Sequence, residues 1–60
     1  MARLKALVGR RVREIRDGKG LTQQELADKV GLSLNMIGYI ERGIKFPSAG
    51  TFEKLSRVLG

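Results

Sequence analysis

Cysteine and histidine are both missing from this chain of 60 residues. Without cysteine there is no disulfide framework, no thiolate metal site and no thiol nucleophile. Without histidine the commonest general base and the commonest metal ligand are gone as well. The six carboxylates are spread over polar helical positions and share no ligand spacing. Neither a metal site nor a catalytic centre is expected, the chain reads as no enzyme, and no cofactor or small-molecule ligand is implied. No apolar run approaches the roughly 20 residues of a transmembrane helix. The basic N-terminus is not followed by the apolar core of a secretory signal. The expectation is a cytoplasmic protein with no membrane partner.

Positive charge is what the chain has in excess. Twelve Lys and Arg against six Asp and Glu leave a formal charge of +6. That balance suits a polyanion, either a phosphate backbone or an anionic surface. At this length there is room for one domain only, and such a domain buries about 60% of the surface of its unfolded chain.

The apolar pattern is helical throughout, and no segment alternates as a strand does. From about Ala2 to Asp17, Leu4, Val8, Val12 and Ile15 recur at helical spacing with Leu7 beside them. The opposite face is basic (Arg3, Arg10, Arg13), and Gly18-Lys19-Gly20 ends the segment. Gly9, inside it, weakens the helix by about 1 kcal/mol relative to alanine. Thr22-Gln23-Gln24-Glu25 spells a capping box, with Leu21 and Leu26 placed for a hydrophobic staple. A short helix follows with Leu26, Ala27 and Val30 inward, and Gly31 can turn the chain sharply. Ser33 caps the next helix, which has Ile37 and Ile40 inward and is closed by Gly43. Pro47 marks a boundary, and Ser48 caps a last helix whose apolar positions are Phe52, Leu55, Val58 and Leu59. The predicted class is all-α, a bundle of four to five short helices in one domain over residues 1–60. A helix-turn-helix occupies about residues 22–42.

Two short helices joined at Gly31 leave Ser33, Leu34, Asn35, Gly38, Tyr39 and Arg42 on one outward face of the second. A helix carried this way can enter the major groove and present its N-terminal residues to base edges. The run Leu21-Thr22-Gln23-Gln24-Glu25-Leu26-Ala27-Asp28-Lys29-Val30-Gly31-Leu32-Ser33, then Ile40-Glu41-Arg42-Gly43 and Pro47-Ser48, resembles the lambda-repressor and Cro-like family of helix-turn-helix domains, also called the xenobiotic-response-element family. Arg13-Glu14-Ile15-Arg16 and Gly20-Leu21 fit that family's first helix. The resemblance implies a five-helix domain, its fifth helix starting where this sequence stops at Gly60. It also implies a bacterial, archaeal or phage-encoded transcriptional regulator that binds double-stranded DNA as a homodimer on a near-palindromic operator.

Carried over by position, the resemblance gives Ser33, Leu34, Asn35, Gly38 and Tyr39 as residues facing the bases. It gives Gln23, Gln24, Arg42 and Lys45 as phosphate contacts, and Arg16 with Glu41 as a structural salt bridge. The sequence departs from the family at Leu34, Met36 and Gly38, where Gln, Thr or Ser, and Ser are common. Leu34 cannot hydrogen-bond a base but can lie against a thymine methyl, and Asn35 can pair its amide with adenine N6 and N7. Plainer readings stand beside these. Gln23 and Gln24 can be solvated residues of a first turn, Tyr39 can cover the core edge, and Met36 can fill a gap. The arginines of Arg10-Arg11-Val12-Arg13 can form a solvated face. Two apolar residues on or near the groove face also fit a protein-docking module such as an antitoxin or adaptor. An amphipathic first helix lying on a membrane is a third reading.

Overall fold

Three of the helices begin on a hydroxyl. Thr22, Ser33 and Ser48 each hold an extended backbone and accept through their side chains from the N–H three residues on: Glu25, Met36 and Thr51. Such a bond satisfies one of the four N–H groups that a helix start leaves without a partner. The structure is a computed structural model that describes residues 2–60. It consists of α1 (Ala2–Gly18), α2 (Gln23–Val30), α3 (Leu34–Glu41) and α4 (Ala49–Leu59), with no strand among the described residues.

At α2 the capping box is complete. Glu25 N–H donates to Thr22 Oγ1 at 3.0 Å, and Thr22 N–H donates to Glu25 Oε1 at 2.9 Å. The backbone N–H that Glu25 accepts, followed by the Thr22 hydroxyl, holds its carboxyl below the ordinary value. A depressed carboxyl supports the fold above the ordinary carboxylate range and loses that support as pH falls through its lower folded value. The wild type is therefore expected to lose stability more steeply than Glu25→Ala as pH falls through and below the ordinary carboxylate range. Urea midpoints measured across that range check it, and parallel curves would refute it.

The turn between α2 and α3 depends on Gly31, whose φ of +70° belongs to a region that side chains disfavour. With Gly31 so placed, Leu32 N–H reaches back to the Ala27 carbonyl at 2.9 Å and closes α2. The chain then leaves at the angle α3 needs. Ala27, wholly buried, is small enough for α3 to cross closely.

Leu26, Ile37 and Ile40 form the fully enclosed centre, and Val12, Val30, Leu55 and Leu59 complete the core around them. α3 packs on α1 and α2, whereas α4 packs on α2 and α1. The outward face of α3 is left uncovered by this arrangement.

Two apolar residues stand outside the core their spacing suggested. Leu4, with Leu7 beside it, is nearly half exposed. At about 1.5 Å per residue, α1 is about twice as long as α3 and half again as long as α4, so its opening turns are incompletely covered. Phe52, in the first turn of α4, is equally exposed and stacks on Phe46, with ring centroids 6.5 Å apart. It stands at the edge of an apolar groove between α1 and α4, lined by Val8, Val12, Ile15, Leu55 and Leu59.

Gly9 is more than a weak point in α1. A Cβ at this position would lie 2.7 Å from the Glu41 carbonyl oxygen and closer still to that of Ile40. The absent side chain is what lets α1 pass against the end of α3.

Candidate nucleic-acid interface

The end of α3 is fastened by a buried carboxylate. Arg16 Nε donates to Glu41 Oε2 at 2.6 Å and Arg16 Nη2 donates to Glu41 Oε1 at 3.1 Å. The remaining nitrogen, Nη1, donates to the Leu21 carbonyl at 2.7 Å and lies 3.1 Å from Asp17 Oδ1. The guanidinium's value is raised, chiefly by its hydrogen bond to Glu41, and the group stays charged. A forked pair of this kind fixes direction as well as distance.

Glu41 Oε1 has a second donor, Gln23 Nε2, at 3.0 Å. One carboxylate thereby ties together the end of α1, the start of α2 and the end of α3. Gln23 is half-buried and its amide is oriented by this bond. Gln24, one residue on, is exposed and donates to Asp28 Oδ1 at 2.9 Å.

On α3 the residues expected to face a groove divide by role. Ser33 accepts Met36 N–H at 3.1 Å as the N-cap, which leaves its O–H donor and one oxygen lone pair free. Leu34 and Asn35 are exposed in the first turn, and Met36 is half-buried against the core. Tyr39 lies at the far edge of the face, 37% exposed. The Arg42 guanidinium lies 5.4 Å from the Tyr39 ring centroid, a cation–π distance. Its Nε donates to the Gly38 carbonyl at 3.1 Å. Lys45 is exposed in the loop after α3, its N–H directed at the Tyr39 carbonyl at 3.3 Å.

Gly38 lies between these side chains and is not demanded by packing. A Cβ there would meet only the flexible end of Arg42, at 3.5 Å. Glycine in a helix costs about 1 kcal/mol relative to alanine, and nothing in the fold repays it at this position. The sequence shows the missing side chain at Gly38, and the structure adds that only the movable end of Arg42 covers the space.

The basic run of α1 is largely occupied within its own helix. Arg11 approaches Glu14 at 3.8 Å and Arg13 approaches Asp17 at 3.9 Å, both on exposed faces. Among the described residues no group of His, Cys, Asp or Glu is arranged to hold a metal ion.

Comparison with known proteins agrees with this geometry. The family model described as helix-turn-helix matches residues 12–60. Over 51 residues the chain is 43% identical to YazB, an uncharacterized HTH-type transcriptional regulator of Bacillus subtilis, covering 85% of this chain and 74% of YazB. It is 42% identical over 53 residues to the immunity repressor protein of Bacillus phage phi105, covering 88% of this chain and 37% of the repressor. In three dimensions it is similar to the clp gene regulator ClgR of Corynebacterium glutamicum. The TM-score is 0.89 at 30% identity, over 93% of this chain and 60% of ClgR.

Proposed function

The chain belongs to the lambda-repressor-like helix-turn-helix family of DNA-binding transcriptional regulators, and from that membership we propose that it reads a specific operator with α3 in the major groove. The observation that carries this is the outward face of α3, which the fold leaves free and frames with Arg42 and Lys45. The charge of +6 supplies attraction to the phosphates. Asn35 is the hydrogen-bonding base reader, its amide matched to adenine. Gln23, held by Glu41 at the start of α2, contacts a phosphate together with the free N–H groups of that helix end. Gln24, Arg42 and Lys45 contact the backbone on either side, and Ser33 and Tyr39 flank the bases. Two copies bind half-sites about one helical turn apart on a near-palindromic operator.

The test is binding to duplexes enriched from a random pool, titrated across a salt series. Affinity is expected to fall steeply with salt, each neutralised phosphate adding about 0.9 to the log–log slope. Lys45→Ala should reduce that slope by about 1 and weaken all sequences alike. Asn35→Ala should cost about 1–3 kcal/mol on the selected site only. A flat salt response would sink the reading and favour a protein-docking role. Sedimentation equilibrium with and without duplex counts the copies bound.

A further inference from the structure

Two features of α3 have no explanation in the fold. Leu34, in its first turn, leaves 44% of its surface exposed. Gly38, four residues on, keeps an open position where a Cβ would fit without conflict. Residues four apart lie on the same side of a helix, one above the other. Side chains on a helix also lean toward its N-terminus. The pair therefore sets an apolar side chain in the first turn of α3 beside a stretch of backbone one turn on, covered only by the movable end of Arg42.

A polar base edge gains little from such a surface, since leucine offers neither donor nor acceptor. The one apolar group that bases present in the major groove is the pyrimidine 5-methyl, found on thymine and also on cytosine after methylation. A methyl group projects beyond its base edge, so its seat must combine apolar contact with clearance. Leu34 gives the contact, and Gly38 gives the clearance once the Arg42 side chain that lies over it swings away to a phosphate.

We propose that Leu34 and Gly38 form a seat for a pyrimidine 5-methyl group, which makes binding depend on thymine or 5-methylcytosine at one step of each half-site. This rests on the DNA-reading role assigned above to α3. The seat differs from the Asn35 contact because it senses only the methyl and no hydrogen-bonding pattern.

The experiment uses the whole chain and a duplex enriched from the random pool. Each thymine is replaced in turn by deoxyuridine, which removes the methyl and nothing else. One position per half-site is expected to lose about fourfold in affinity, the worth of one buried methyl-sized group. At that position, cytosine and 5-methylcytosine are also compared. A gain from methylcytosine supports the seat and adds that base to its ligands, whereas dependence on thymine alone supports the seat and names its single source. Leu34→Ala should erase the difference between thymine and deoxyuridine. Gly38→Ala should weaken binding to the thymine duplex while leaving the melting temperature equal or higher. Circular dichroism verifies that both variants fold. Equal affinity for every deoxyuridine duplex, or a loss that persists in Leu34→Ala, overturns the seat but leaves DNA reading intact. Failure of the pool to enrich any duplex overturns both.

Discussion

Gly9→Ala is expected to destabilise the domain by about 3 kcal/mol, although alanine is the better helix former. Propensity alone favours the substitution by about 1 kcal/mol, so the two effects differ in sign. Packing wins because the obstacles are the backbone carbonyls of Ile40 and Glu41. Neither oxygen can swing aside as the end of a side chain would, so α1 and α3 must separate. Their separation would loosen the seam around Val12 and Ile40, both buried. Gly18→Ala is the control, since a Cβ at that residue of the same helix meets nothing within 4 Å. It should be neutral or stabilising by up to about 1 kcal/mol. Urea unfolding followed by circular dichroism separates the two cases. A stabilised Gly9→Ala protein would show that α1 and α3 are not in contact as described.

Arg16→Met has a comparably large expected effect for a different reason. Removing one member of a buried ion pair leaves the other charge uncompensated, at about 3–5 kcal/mol. Glu41 would keep only Gln23 as a side-chain donor, and a neutral amide does not replace a forked guanidinium. For a domain of this size such a loss approaches the whole stability, which runs at about 0.05–0.15 kcal/mol per residue. The double variant Arg16→Met with Glu41→Leu should recover most of it, because replacing a whole buried pair by apolar residues is often nearly neutral. A double-mutant cycle on urea midpoints measures the coupling. Additive losses would show the pair to be energetically independent. The double variant also removes the acceptor that orients Gln23, so its DNA affinity should fall even where its fold recovers.

These two sites differ in how legible they are in the sequence. Arg16 and Glu41 stand 25 positions apart, and only the family resemblance joined them. The capping box of Thr22 and Glu25, the Ser33 and Ser48 caps and the Gly31 turn are local, spanning three or four residues, and local chemistry reads directly from the chain. Gly9 is the opposite case. It looks like a flaw in a helix until α3 arrives from more than 30 positions away and needs the space. Periodicity misplaced Leu4 and Phe52 because it gives the face of a helix and says nothing about where the covering neighbour stops. The second role of Gln23, as a donor to Glu41, was hidden for the same reason. Its partner comes from the far end of another helix, and no spacing within α2 reveals it.

The shared Glu41 carboxylate also bears on how the domain meets its ligand. With Arg16 and Gln23 bonded to it, the mutual pose of α2 and α3 is settled before any duplex arrives. Immobilising a flexible side chain on binding costs about 0.5–1.5 kcal/mol, and under the function proposed above that cost falls mainly on exposed Asn35 and Lys45. The encounter is then a docking of finished shapes. Its association rate is set by electrostatic steering and ionic strength, with no folding step to slow it. The heat-capacity change should match the area of the contact alone, without the added decrement of a segment that orders as it binds.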